Sequence, residues 1–224
     1  MIIRNVSKGK QEHSAFYEST FLDTSHENSS VTVKYPQIND ENYRTVNELI
    51  KNFAENIASD TYGSDYVNLN LDASYRIAYN DNELLSIVFE VQGYVSTTAH
   101  PNQFLSAINV NLSTETIISL SDLYSIEDGF VEVIDNDFHE QFTPKKLEEW
   151  GIKSDDASYE ELKNKLFSVS VNVQTVLFRE ECFYLSENAV IICVGIPHAI
   201  GDYFEIEVEY SELSDFLKTN GEPS

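Results

Sequence analysis

The sequence predicts an α+β fold made of two sequential or intertwined units, each with helices packed on an antiparallel β-sheet. Three observations predict it. The stretch Val46 to Ile57 repeats apolar residues at helical spacing, and two long runs, 66–79 and 84–95, are rich in Val, Ile, Tyr and Phe on either side of a polar turn. The order strand, helix, meander then occurs roughly twice, without enough identity between the halves to make a repeat.

Composition sets the frame for these elements. The chain has 224 residues, 42% hydrophobic and 12% aromatic, enough for one large core or two modest ones. Its 38 acidic and 14 basic side chains leave a formal charge of −24, which repels nucleic acid and anionic lipid and attracts a cationic partner. The opening MIIRNVSKGKQEHS has only Ile2 and Ile3 as an apolar start, and the longest apolar run, Ala189 to Ile196, is too short to span a bilayer. No membrane insertion by this chain is expected.

In chain order, His13 to Leu22 and Val31 to Tyr35 read as strands around the polar TSHENSS connection, with Pro36 marking the exit from the second. A helix over 40–58 follows, capped by Asn39 or Asp40, with Val46, Leu49, Ile50, Phe53 and Ile57 on one face; that face is expected on the sheet of the 66–95 hairpin. Residues 60–64 break the helical pattern. Asn80, Asp81, Asn82 and Glu83 turn the hairpin, and a third strand, Phe104 to Leu112, leads through STET to Ile117, Ile118 and Leu120.

A second unit is expected from Ser125, which has capping-box spacing to Asp128 ahead of Phe130, Val131, Ile134 and Phe138. Thr143 and Pro144 are expected to start another short helix that Gly151 ends after Trp150, and Ser158 with Glu161 opens a third that ends near Phe167. Strands are expected over Val169 to Leu185, Ala189 to Ile196 and Tyr203 to Tyr210, closed by a turn at SELSDFL. The expected divisions are therefore 1–13 as a disordered or trimmed segment, 14–124 and 125–218 as the two α+β units, and 219–224 as a tail.

The residues that carry chemistry are few. Cys182 and Cys193 flank a tight turn, and with Glu187 and Asn188 at its centre they stand opposite one another, close enough for a disulfide; two buried free thiols are the equal alternative. No CxxC pair of the metal-binding type occurs. His139 and Glu140 begin an HExxH-like string, but Thr143 stands where the second zinc ligand belongs, and His26 with Glu27 ends in Ser30. There is no GxSxG serine, no phosphate-binding glycine loop, and no histidine near either cysteine in sequence. Asp135 and His139 share a helix face, which is more often solvated than metal-binding. The expectation is a chain with no catalytic residue, no metal and no cofactor. Two convergent carboxylates of a hydrolase stay open, because their separation is set in space.

Four stretches together resemble the RsiV-like family, the extracytoplasmic domain of lysozyme-sensing anti-sigma factors and an accessory domain of PdaC-type peptidoglycan deacetylases. They are VKYPQI (Val33 to Ile38, with Asn47 and Ile50 on the following helix), STTAHPN (Ser96 to Asn102), ISLSDLY (Ile118 to Tyr124) and GIPHAIGDYFEIEVEYSEL (Gly195 to Leu213). Two positions depart from the family pattern: Thr98 replaces a glycine before Ala99, and His198 stands where a tyrosine is usual after Pro197.

The resemblance implies a non-enzymatic extracellular or cell-surface binding or sensor domain, with its export signal or anchor lying outside this sequence, whose partner is a cationic, cell-wall-associated protein such as a lysozyme. The partner-binding residues expected are Thr97, Thr98, His100 and Pro101 in one loop and Pro197, His198 and Tyr203 in another, brought together in a single surface at one end of their sheets. The alternatives are a peptidoglycan- or glycan-binding module, for which Tyr94, His100, Trp150 and Tyr203 are candidate contacts, and an unrecognised carboxylate hydrolase.

Overall fold

The computed structural model describes residues 15–169 and 182–218. The chain divides into two compact units, Met1–Ser119 with Phe183–Glu187, and Leu120–Cys182 with Asn188–Ser224. Both combine helices with strands, so the protein is α+β.

The first unit is a six-stranded sheet in the order β1-β2-β3-β4-β5-β6, made by β1 (Phe16–Asp23), β2 (Ser30–Ile38), β3 (Leu69–Asn80), β4 (Leu84–Val95), β5 (Asn102–Asn111) and β6 (Thr116–Ile117). All its pairings are antiparallel except β2 with β3, which run parallel with Ser30 opposite Asn70 and Val33 opposite Ala73. Parallel strands need a crossover, and helix α1 (Arg44–Tyr62) supplies it. The wholly antiparallel sheet expected from sequence is corrected in this one pair.

Pro36 does not end β2; it lies inside the strand opposite Glu18 of β1. Described pairing with β3 stops at Val33, so by Pro36 the strand has a neighbour on one side only and a missing N–H breaks no second ladder. Of the two candidate caps, Asp40 accepts from the Asn42 N–H at 2.9 Å and opens a single 3-10 turn, Glu41–Tyr43, ahead of α1. Helix α1 then buries Val46, Ile50, Ala54, Ile57 and Ala58 against Val31, Val33, Leu69, Leu71 and Phe89. Phe53, expected within this face, lies at its rim and is only partly buried, its ring 5.6 Å from that of Phe89; Ala54 takes the interior position. Asn47 fixes the entry, its side chain accepting from the Ile38 N–H at 2.8 Å and donating to the Ile38 carbonyl at 2.9 Å. At the far end a Cβ on Gly93 would meet the Tyr62 hydroxyl, so the glycine in β4 leaves room for the last side chain of α1.

Strand β7 (Phe183–Leu185) belongs with this unit. Its anchor is a buried polar pair on adjacent strands: Ser86 donates to Asn109, the Asn109 amide donates to the Phe183 carbonyl at 2.9 Å, and the Leu185 N–H donates to the Ser86 hydroxyl at 2.9 Å. The Arg76 guanidinium donates to the Tyr184 hydroxyl at 2.8 Å and lies 4.6 Å from the centre of its ring.

The second unit holds α2 (Leu120–Leu123), α3 (Asp128–Glu149), α4 (Tyr159–Phe167) and the antiparallel pair β8 (Ala189–Gly195) and β9 (Tyr203–Glu209). On α3, Phe130, Ile134, Phe138 and Phe142 recur every four residues and are all buried. They meet the strand pair through Phe204, whose ring stands edge-on to Phe138 at 5.9 Å and to Phe142 at 5.1 Å.

Two expectations for this unit are corrected. The capping box at Ser125 does not form: the residue before α3 is Glu127, without a side-chain cap, and the Ser125 N–H instead donates to the Phe216 carbonyl at 2.8 Å. Nor does Pro144 start a helix; it sits inside a continuous α3. Pro144 is on the solvent side, where water can take the Glu140 carbonyl that its missing N–H leaves, while Phe142, Thr143, Lys146 and Leu147 stay buried on the other side. Gly151 ends the helix as expected, at φ +68°, with its N–H on the Glu148 carbonyl and that of Ile152 on Leu147, a Schellman closure. Ser158 is the N-cap position of α4 but makes no side-chain cap bond. The strand expected over Val169 to Leu185 lies outside the described residues between 170 and 181.

Candidate functional site

The two loops expected to bind a partner belong to different units, 96–102 to the first and 197–203 to the second. The first follows β4 and is exposed throughout, so Thr97, Thr98, His100 and Pro101 all face solvent. Thr98 shapes it. Its N–H and its hydroxyl each lie 2.8 Å from the Val95 carbonyl, and the hydroxyl lies 3.2 Å from the His100 carbonyl.

This loop is tied to a second turn that sequence reasoning treated as a mere connection. Asn68, at φ +58°, donates its N–H to the Glu27 carbonyl at 2.9 Å and accepts from the Ser96 N–H at 3.1 Å, while its side chain accepts from Asn28 at 3.2 Å. One left-handed asparagine thus joins the 24–29 turn to the start of the 96–102 loop. In that turn Asp23 accepts from the Ser25 hydroxyl at 2.6 Å, the Ser25 N–H at 2.8 Å and the Tyr66 hydroxyl at 2.6 Å. These bonds, led by the Ser25 hydroxyl, hold the Asp23 carboxyl down at about 2, and burial with the Asp23 bond pushes the Tyr66 phenol upward. The His26 ring lies 4.1 Å from that of Tyr66. The only sequence signal was the asparagine and aspartate content of the turn.

The second loop is a closed ring. The Ile196 N–H donates to the Asp202 carbonyl at 2.8 Å, and within the ring a 3-10 turn runs over His198–Ile200. Gly201 at φ +127° and Asp202 at φ +65° bring the chain back. His198 Nδ1 lies 2.6 Å from Asp202 Oδ1, with Asp202 mostly covered and His198 about half exposed. Beneath Gly201 is the Nζ of Lys146, 3.1 Å from where a Cβ would stand. Lys146 is buried along its stem and pairs with Glu149 at 2.8 Å. Pro197 and His198 are exposed and Tyr203 is half-buried.

Cys182 and Cys193 are buried, and the Cys193 N–H donates to the Cys182 carbonyl at 3.0 Å; their thiols are not bonded to each other here. Of the four candidate glycan contacts, Tyr94 and Trp150 are large exposed aromatics, His100 is exposed and Tyr203 is half-buried. Beyond α3 a groove of about 410 Å³ is lined by Pro144, Leu147, Ile152 and Tyr159, with Glu148 and Lys153 supplying charge.

Among the described residues, no group of three or more His, Cys, Asp or Glu side chains is placed to hold a metal ion, and no helix is long and apolar enough to cross a membrane. Asp135 and His139 are 3.9 Å apart across one turn of α3. Asp137 on the same helix has its carboxyl raised to about 6, first by burial and then by Glu212, Glu140 and Glu209. Raised carboxyls of this kind are found in general acids, but Asp137 does not line the groove beyond α3.

No known family profile matches the sequence, and no curated protein is recognisably similar to it. The fold itself has solved counterparts. A DUF3298 family protein from Pseudomonas aeruginosa superposes with a TM-score of 0.57 at 14% identity, covering 93% of this chain and 96% of that one. A member of the same family from Bacteroides fragilis gives a TM-score of 0.51 at 12% identity, covering 92% and 94%. At these identities the likeness is one of fold.

Proposed function

We propose that this chain is a non-catalytic extracellular or cell-surface recognition domain of the RsiV-like kind, and that its partner is a cationic, cell-wall-associated protein such as a lysozyme. The observation that carries the reading is the 196–203 ring: it presents Pro197 and His198 to solvent from a main chain held by the Asp202 carbonyl, the His198–Asp202 pair and Gly201. A loop fixed in this way loses little conformational freedom on binding, which favours affinity. The formal charge of −24 supplies long-range attraction for a basic partner. The DUF3298 likeness supports the fold on which the loops are carried. Thr97, Thr98, His100 and Pro101 form the corresponding contact region of the first unit.

Surface-based kinetics with an animal-type lysozyme test the reading. Affinity should fall as salt rises; Thr98→Gly and His198→Ala should mainly change the dissociation rate, while Glu160→Gln, on α4, should mainly slow association. Failure to bind lysozymes of several types rejects the partner, and binding untouched by both loop variants rejects the site.

A second reading, a glycan-binding module, is favoured by exposed Trp150 and Tyr94 and by the groove containing Tyr159. Peptidoglycan fragments should then perturb the Trp150 fluorescence of the free protein, and an unchanged spectrum at saturating fragment would exclude that reading for the second unit.

A further inference from the structure

We infer that Cys182 and Cys193 are a redox modification site, a disulfide clasp that closes around Phe183–Glu187 and keeps that segment on the sheet of the first unit. The path of the chain gives the site its purpose. Cys182 is the last residue of the second unit before five residues join the first, and the chain returns to the second unit at Asn188. The five residues are held in the first unit by the Phe183 carbonyl on Asn109, the Leu185 N–H on Ser86 and the Tyr184 hydroxyl on Arg76. So short a segment can detach locally without the sheet unfolding.

The 3.0 Å bond from the Cys193 N–H to the Cys182 carbonyl identifies a hydrogen-bonded antiparallel pair. Such pairs place their Cα atoms about 5.5 Å apart, within the usual separation of about 5.5 to 6 Å for a disulfide. Both side chains are buried, so the bond forms during folding or when the strand base opens. The reaction is thiol–disulfide exchange with a small disulfide as oxidant. One cysteine thiolate attacks it and releases a thiol, leaving a mixed disulfide on the protein. The second thiolate then attacks the protein sulfur and releases the other thiol. Two protein thiols lose two protons and two electrons, and the oxidant's S–S bond becomes two thiols. The closed ring contains residues 183–192, and its closure narrows the states open to the detached segment.

The test uses the full chain refolded in a glutathione and glutathione-disulfide buffer, with intact mass, thiol alkylation and hydrogen exchange measured together. The expected product is lighter than the reduced protein by two hydrogens and has no alkylatable thiol. Its 183–187 amides should exchange about tenfold more slowly than those of the reduced protein, while Cys193→Ser matches the reduced rate. Two alkylatable thiols after oxidative refolding would overturn the clasp. A disulfide that left exchange at 183–187 unchanged would overturn its role.

Discussion

Asp23 at the end of β1 and Asp137 in the middle of α3 are both half-buried, yet the first carboxyl is held down at about 2 and the second is raised to about 6. The difference lies in the donors that the local main chain leaves over. Asp23 sits at the head of a turn, where the Ser25 N–H and hydroxyl belong to no ladder and both reach the carboxylate, joined by the Tyr66 hydroxyl. Asp137 sits in mid-helix, where main-chain N–H groups are committed to the helix itself. One turn later the Gln141 side chain is also committed, donating to the Glu207 carbonyl at 2.6 Å and accepting from the Glu207 N–H at 3.0 Å, as a strand neighbour would. Asp137 Oδ2 is left shielded and without a partner among the described residues, facing Glu140, Glu209 and Glu212. Here the turn solvates its charge with protein groups, and the helix packed on β9 does not.

Asp137 is kept from water only while α3 is tightly packed on its strands. Phe138 is fully buried between Phe142 and Phe204, so Phe138→Ala should cost about 3 to 5 kcal/mol in urea denaturation. Phe53→Ala, at the rim of the other core, should cost about half as much. Equal losses at the two sites would mean that the second core is looser than its contacts indicate.

Asp137→Asn probes the raised carboxyl directly. A folded-state value of about 6 against an ordinary 3.8 means that folding favours the protonated form. That contribution is fully present below about 3.8 and is lost as pH rises through about 6. The asparagine variant should therefore be more stable than wild type at pH 7, by about 1 to 2 kcal/mol after allowance for partial solvent screening, and should show little advantage at pH 4. A variant less stable at pH 7 would mean that Asp137 has an unseen cation partner.

Much of the first unit was legible because its signals are periodic. The 84–95 strand emerges with the bounds read from sequence, and the α1 face keeps Val46, Ile50 and Ile57 buried as its spacing implied, while Leu49 and Phe53 fall at the rim and Ala54 takes an interior position. Three features were not legible, each for a different reason. The parallel β2–β3 pair depends on where a helix returns the chain. The continuous α3 depends on Pro144 falling on the solvent side of a helix held by Phe142 and Leu147. Ser86 and Asn109 look like ordinary interruptions of apolar strands, and only β7, coming from 74 residues beyond Asn109, shows what they bind. The candidate loops were found by their proline, glycine and histidine content and by resemblance. The Asn68 link and the His198–Asp202 pair were not, because left-handed asparagine and aspartate at φ +58° and +65° carry no sequence mark beyond residue type.

If the Ser25 and Tyr66 donors hold Asp23 ionised, Asp23→Asn should destabilise the first unit by about 1 kcal/mol at pH 7, a modest figure because the carboxylate is partly exposed and screened. The sign is opposite to that at Asp137. A depressed carboxyl contributes fully above its ordinary 3.8 and loses that contribution as pH falls through about 2, so wild type and variant should converge over that acid window. Tyr66→Phe separates the donors: it removes the 2.6 Å bond while keeping the ring beside His26, and should bring the Asp23 titration part of the way back toward 3.8. Side-chain NMR titration of Asp23 in the two proteins reads this directly. An Asp23 that titrates unchanged in Tyr66→Phe would assign the depression to Ser25, with His26 beside it, and would leave Tyr66 as a packing residue under the 24–29 turn.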